Sequence, residues 1–427
     1  MQKKIVQIFV AAVAFLTVLL FQADSAQAAS VHTNTMQDVQ QLVLVTTSSK
    51  KSSYATVTAY ERTAEGKWIS KKKTTKGRVG WAGITPIASR RQGTGKTPQG
   101  ILKLVRAMGN KADPGAIFPY TRITNAMYWN LNSGTSTYNQ LVTKDPKGDR
   151  EHLIDYPSQY GYLFTTDYNV EQIADKGGAI FFHCNGSGAT AGCISVPTSI
   201  MKWYVKWLDP QKNPVILVTT ASEVQKYLVP TTTIKEVKAS SANSLTLSWK
   251  QVYGSYRYVV QRASSKGGPY QNVKILKPSV TSWTDTTANS KKVYYYRIKT
   301  YAYLDGAKKY AATSPAVCNK VYYVTYKANG GTGTMKKTTV PYQYPTALRK
   351  NVFQRSGYTF QGWYAYRVSD KKWYTVGHGW KKASTIKKRK YEKYLYPDRQ
   401  KVSKQTATNN TEIRMTAVWK KKGRTTP

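Results

Sequence analysis

Ala179-Ile180-Phe181-Phe182-His183-Cys184-Asn185-Gly186-Ser187-Gly188-Ala189-Thr190-Ala191-Gly192-Cys193-Ile194-Ser195 holds two of the three cysteines and one of the four histidines of a 427-residue chain. Its apolar opening, Ala179 to Phe182, reads as a strand that delivers a histidine, followed by a loop of small residues and a cysteine directly behind a glycine. A thiol attacks only as thiolate, and an ordinary cysteine, with a pKa of about 8.5, needs a base beside it at neutral pH. His183 lies ten positions before Cys193, a separation that a strand end and a returning loop can close. Gly186, Gly188 and Gly192 free that loop to turn, and the backbone N–H groups around Gly192 and Cys193 are candidates for holding a developing oxyanion. The chemistry so permitted is acyl transfer through a thioester. Spacing alone leaves two alternatives open: Cys193 and His183 as packed core residues, or Cys184 as the reactive thiol. Neighbours on a strand face opposite ways, so His183 and Cys184 are poorly placed to pair. His32, His152 and His378 are scattered with no ligand spacing, and neither a metal nor a cofactor is expected.

Outward from this stretch, residues 40 to 225 are rich in strand signals. Gln41-Leu42-Val43-Leu44-Val45 is an apolar run, and Tyr54 to Tyr60 alternates as a half-buried strand does, ahead of a turn at Glu65-Gly66. Gly93-Thr94-Gly95-Lys96-Thr97-Pro98-Gln99-Gly100-Ile101 reads as a loop stiffened at its exit by proline. After Pro197, the spacing of Ile200, Trp203, Tyr204 and Trp207 predicts a short amphipathic helix over Thr198 to Leu208, and Pro214 to Val218 a closing strand.

Beyond a Thr-rich hinge at Pro230-Thr231-Thr232-Thr233, short alternating runs (Ser244 to Trp249, Tyr256 to Arg262, Thr281 to Asp285, Tyr294 to Lys299) predict an all-β sandwich. The last segment carries Ala328-Asn329-Gly330-Gly331, then Gly357-Tyr358-Thr359-Phe360-Gln361-Gly362-Trp363, then Ala417-Val418-Trp419. From Lys371 to Pro427 it holds 17 Lys and Arg against 3 Asp and Glu.

The whole chain has 65 Lys and Arg, 21 Asp and Glu, and a formal net charge of +44. Such an excess implies an anionic partner. Met1 to Lys4 is basic, Ile5 to Phe21 is almost wholly apolar, and Ala26-Gln27-Ala28 fits a cleavage site, so 1–28 reads as a secretory signal peptide. Membrane contact is expected through that segment alone. Outside the cell the abundant polyanions are envelope polymers, so nucleic acid is not expected as the partner. Three cysteines do not make a disulfide framework.

The segment from about Gln40 to Leu217 resembles the YkuD-like L,D-transpeptidase catalytic domain. The resemblance rests on Gly93-Thr94-Gly95-Lys96-Thr97-Pro98-Gln99-Gly100, on Glu151-His152-Leu153-Ile154-Asp155-Tyr156, and on the box from His183 to Thr190-Ala191-Gly192-Cys193-Ile194. It implies a mostly-β, sandwich-like catalytic domain over 29–225 that remodels peptidoglycan. Cys193 would be the nucleophile, His183 the general base oriented by a backbone carbonyl, Gly192 an oxyanion-hole backbone, and Thr190 and Ser195 substrate-binding residues. Many relatives carry a histidine where this chain has Ala191 and an arginine where it has Ser195. The implied reaction is attack on a tetrapeptide stem, release of its terminal D-Ala, and resolution of the thioester by a neighbouring amine to give a 3–3 crosslink. Resolution by water would make an L,D-carboxypeptidase, and a chain that keeps the fold without the chemistry would be an envelope-binding protein. Residues 230–322 resemble a fibronectin type III module and 323–420 an internalin-type B-repeat of β-grasp-like character, followed by a basic tail at 421–427. Anionic wall polymers are the expected partner of that basic C-terminal module.

Overall fold

The β-prone runs become strands because each finds a neighbouring strand that takes up its backbone groups, on both edges for those in mid-sheet. The computed structural model describes residues 34–375, 379–382 and 395–423. The expected signal peptide, His32, His378 and the end of the basic tail lie outside the described residues. The chain is mostly β. It divides into two compact units, one running through Leu228 and including Tyr303–Ala307, the other made of Val229–Ala302 and the chain from Lys308 onward.

In the first unit the main sheet is built from β1 (Gln41–Thr47), β2 (Tyr54–Arg62), β3 (Trp68–Arg78), β5 (Thr97–Gly109), β10 (Leu163–Thr166), β11 (Phe181–Cys184), β12 (Ile194–Val196) and β13 (Val215–Thr220). β4 (Ile84–Pro86) and β6 (Tyr120–Arg122) pair with β5, and β7 (Tyr128–Asn130), β8 (Gln140–Val142) and β9 (Arg150–His152) form a small sheet of their own. The strand order is β12-β11-β10-β5-β13-β1-β2-β3, and β3 meets β12 again at Arg78 and Ser195, so the sheet closes on itself. β13, the strand read as closing this segment of the chain, lies in mid-sheet, parallel to β1 and antiparallel to β5. Its six residues, Val215 to Thr220, are buried throughout, as a strand with neighbours on both edges and both faces covered must be.

Half of the glycine-rich loop proves to be strand. β5 begins at Thr97, and Thr97, Pro98 and Gln99 pair in parallel with Ile84, Thr85 and Pro86 of the three-residue β4. Pro98 offers no N–H, and proline is tolerated near a strand start of this kind. The helix α1 (Thr198–Trp207) forms where its spacing predicts, ending one residue short at Leu208, and buries Met201, Tyr204 and Val205. Tyr204 sets its ring edge-on to Phe182 of β11 at 5.0 Å, and full burial of a side chain such as Phe182 contributes about 2–3 kcal/mol.

The second unit contains separate sheets. Ile234–Ser241, Ser244–Trp249 and Ser282–Asp285 form one. Arg257–Ala263 pairs with both Gln271–Leu276 and Tyr295–Leu304. Trp249, Tyr296 and Ile298 are almost wholly buried, and Trp249 meets the Tyr258 ring edge-on at 5.6 Å. A six-stranded sheet follows, in which Val321–Lys327 runs parallel to Glu412–Lys421 and the latter antiparallel to Tyr358–Arg367. Asn329 and Gly330 take left-handed angles (φ 50° and 81°), which turns the chain under Trp419, whose indole N–H donates to the Ala328 carbonyl at 2.8 Å.

Candidate functional site

β11 and β12 are parallel, and only residues 185–193 connect them. That short crossover, carrying the glycine-rich loop, returns the chain to where β11 began. The register pairs Phe182 with Ile194, His183 with Ser195 and Cys184 with Val196, which sets Cys193 level with Phe181. Because side chains alternate along a strand, Phe181, His183 and Cys193 fall on one face, and Phe182, Cys184 and Ile194 on the other. The burial follows this parity: Cys184 is enclosed in the main core with Phe182 and Ile194, while Cys193 joins a smaller cluster with Phe181, Trp129 and Tyr160.

His183 and Cys193 line one cavity of about 260 Å³ together with Glu151, Tyr156, Gln159, Tyr160 and the 186–191 loop. The His183 Nδ1 lies 2.7 Å from the Cys184 carbonyl oxygen. A carbonyl only accepts, so Nδ1 carries the proton and Nε2 keeps its lone pair. Burial lowers the His183 pKa to about 4, with the Cys184 carbonyl pulling the other way. Burial chiefly, then the charge of Glu151, raises the Cys193 thiol to about 12, against the opposing influence of the Phe181 N–H and Arg90. The resting pair is therefore a neutral thiol beside a neutral imidazole. The Cys193 Sγ donates to the Ala179 carbonyl at 3.0 Å and accepts from the Phe181 N–H at 3.3 Å.

This electrostatic state has a measurable consequence. Alkylation of Cys193 by iodoacetamide should rise about tenfold per pH unit between pH 7 and 9, because the thiolate fraction keeps growing until pH passes the raised pKa. A rate that plateaus with an apparent pKa below 7, read from intact mass against time, would instead reveal a preformed imidazolium–thiolate pair.

Two threonines fix the nucleophile's backbone. The hydroxyls of Thr190 and Thr97 both donate to the Cys193 carbonyl, at 2.7 and 3.2 Å, and Thr97 Oγ1 also accepts the Gly80 N–H at 2.8 Å. The Gly-Thr-Gly-Lys-Thr-Pro motif thus meets the cysteine box through Thr97. The Gly192 N–H, expected at an oxyanion hole, donates inward to Thr190 Oγ1 at 3.2 Å. Thr190 lines the cavity and spends its hydroxyl on this clamp. The expected contact between Ser195 and substrate does not fit its position. Ser195 is wholly buried at the seam where β12 meets both β11 and β3, and its Oγ donates to Asn185 at 2.8 Å.

Three residues to which the sequence assigned no role line the cavities beside the thiol. Glu151 lines the His183 cavity and also a second one of about 150 Å³, to which Cys193, Arg90, Trp81 and Gly192 contribute as well. Its Oε2 accepts the Tyr160 hydroxyl at 2.5 Å, and the Tyr160 ring stands edge-on to His183 at 5.5 Å. Arg90 is buried, donates to the Lys176 carbonyl and lies over the Tyr168 ring at 5.5 Å. Glu151 was visible within the acidic-aromatic run, but Tyr160 and Arg90 carry no local signal because long-range packing alone brings them here. Among the described residues no group of three His, Cys, Asp or Glu could hold a metal, and no helix is long and apolar enough to cross a membrane.

Residues 50–217 match the family model of the L,D-transpeptidase catalytic domain, and 322–386 that of the Listeria-Bacteroides repeat domain. The first match indicates an L,D-transpeptidase-type enzyme, a family that acts on peptidoglycan stem peptides, and both domains are typical of extracellular or cell-wall proteins. No curated protein matches the chain. Among solved structures, an Fn3-like protein from Clostridium thermocellum is 30% identical over 20% of this chain and 86% of its own, with a TM-score of 0.17. Pectate lyase PelI from Erwinia chrysanthemi is 19% identical over 24% of this chain and 35% of its own, at 0.17. The chicken CNTN1 FN1-FN3 domains are 11% identical over 68% of this chain and 65% of their own, at 0.19. At TM-scores this low, the three resemblances carry no weight on fold or function.

Proposed function

We propose that this chain is a secreted cell-wall L,D-transpeptidase that forms 3–3 peptidoglycan crosslinks by cysteine acyl transfer. The observation that carries the reading is the parallel β11–β12 register, which puts His183, with Nδ1 held by a carbonyl, and Cys193 on one face and in one cavity. His183 Nε2 takes the thiol proton as Sγ attacks the carbonyl of the third stem residue. Since thiol and imidazole both rest neutral, proton removal and attack proceed together. The tetrahedral oxyanion is held by backbone N–H at Cys193, the Gly192 N–H being engaged. Collapse expels the terminal D-Ala, whose amine leaves with the proton from His183, and an amine of a neighbouring stem then resolves the thioester.

Export by residues 1–28 and anchoring on anionic wall polymers by the basic C-terminal segment complete the reading. The modules proposed are a catalytic domain over 29–225, a fibronectin type III module over 230–322 and an internalin-type repeat over 323–420. Wall binding by the mature protein should fall steeply between 0.1 and 1 M salt, as the screening length shrinks from about 10 to about 3 Å. Sedimentation with purified walls that is indifferent to salt would refute an electrostatic anchor.

The deciding experiment incubates the mature full-length protein with disaccharide-tetrapeptide and follows products by mass spectrometry. Release of D-Ala with dimer formation is expected. Tripeptide alone would make the chain an L,D-carboxypeptidase, and no D-Ala release an envelope-binding protein.

A further inference from the structure

Aminolysis of a thioester presents a proton problem that the Cys–His pair does not solve alone. At neutral pH an alkylamine, with an ordinary pKa of about 10.4, is an ammonium ion. It must lose one proton to expose its lone pair and a second once the C–N bond has formed. The departing sulfur takes up one of these, relayed by His183. The other needs a second base within reach of the thioester.

Glu151 occupies the place such a base requires. It lines both cavities that meet at Cys193. One carboxylate oxygen accepts the Tyr160 hydroxyl, and among the described residues no Lys, Arg or His forms an ion pair with it. In a chain of 65 Lys and Arg, a pocket-lining carboxyl beside the nucleophile that pairs with no internal cation is suited to an external one.

We propose that Glu151 receives the acceptor ammonium and takes the first of its two protons, which makes it the residue that favours crosslinking over hydrolysis. This rests on the reading of Cys193 as an acyl-transfer nucleophile. The C–N bond forms as the C–S bond breaks. One proton passes to the Glu151 carboxylate and one, through His183, to the Cys193 sulfur, so ammonium plus carboxylate become neutral amide and carboxylic acid. Water needs to give up only one proton on attack, for which His183 suffices.

The charge state of Glu151 suits the role. Burial raises its pKa to about 7, the Tyr160 hydrogen bond opposing and Asp149 adding to the rise. Tyr156 and Tyr160 face it from the turn after its strand, Cys193 and, across the Tyr160 ring, His183 from the catalytic loop and β11, and Arg90 from the second cavity. Above about pH 7 it is ionised and able to bind an ammonium and accept a proton, and below it is not.

The test measures the ratio of dimer to tripeptide from disaccharide-tetrapeptide with the full-length mature protein. Both products arise from one thioester, so the ratio is insensitive to the speed of acylation. Glu151→Gln should lower the ratio at pH 7.5 roughly tenfold, Glu151→Asp should recover part of it, and the wild-type ratio should climb through pH 7. Tyr160→Phe removes the bond that lowers the Glu151 pKa, so its climb should move to higher pH. An unchanged ratio in Glu151→Gln overturns the proposal. So does loss of acylation by Glu151→Gln while Tyr160→Phe is still acylated, which would assign Glu151 to thiol activation, and so does wild-type protein that yields tripeptide alone. Wild-type protein that releases no D-Ala overturns the cysteine reading itself, a separate failure visible before any ratio is taken.

Discussion

Cys193→Ala is expected to abolish D-Ala release, lowering the rate on the order of 10⁴-fold or more, because loss of a nucleophile removes the covalent route altogether. The fold should survive. Cys193 sits in the smaller cluster at a cavity wall, where a methyl group still fills most of its space. Cys184→Ala separates chemistry from packing. Its sulfur is enclosed in the main core, 3.5 Å from the Tyr162 carbonyl, with burial raising its pKa. That variant should lose about 1 kcal/mol of stability and keep its acylation. A β-lactam such as a carbapenem, followed by intact-mass and peptide mapping, reads both variants at once. An adduct on Cys184, or acylation retained by Cys193→Ala, would sink the assignment.

The second large effect is structural and lies outside the cysteine box. Gly80 lies where the backbone comes closest to the glycine-rich loop: a Cβ added there would stand 2.1 Å from the Gly95 carbonyl oxygen and 3.0 Å from the Thr97 nitrogen. Both obstacles are backbone, so neither can swing aside. Gly80→Ala must push the loop away, and with it Thr97, whose hydroxyl joins the Gly80 N–H to the Cys193 carbonyl. We expect a loss of about 3 kcal/mol, a Tm lower by about 6–12 °C, and weakened acylation. Gly188→Ala is the control for stability, since a methyl there meets nothing within 4 Å and the residue needs no left-handed angle. Thermal unfolding of the full-length chain decides it. A Gly80→Ala Tm within a degree of wild type would show that the loop yields freely.

Sequence by itself determined the β character, because alternation and β-branched runs such as Gln41 to Val45 are local properties of the chain. It also determined the helix after Pro197, whose apolar spacing matches one turn, and the nomination of His183 and Cys193 with Cys184 facing away, because strand parity is fixed by covalent geometry. Only the tertiary structure decided what surrounds the thiol. Ser195 is drawn into the closing seam by pairing with β3, more than a hundred residues earlier, and the Gly192 N–H is taken by Thr190. Gly-Thr-Gly-Lys-Thr-Pro is half strand because β4 pairs with it. Glu151, Tyr160 and Arg90 reach Cys193 from separate parts of the chain, and the neutral state of the Cys–His pair comes from burial. Desolvation and register between distant strands depend on the whole closed sheet, so no window of sequence carries them.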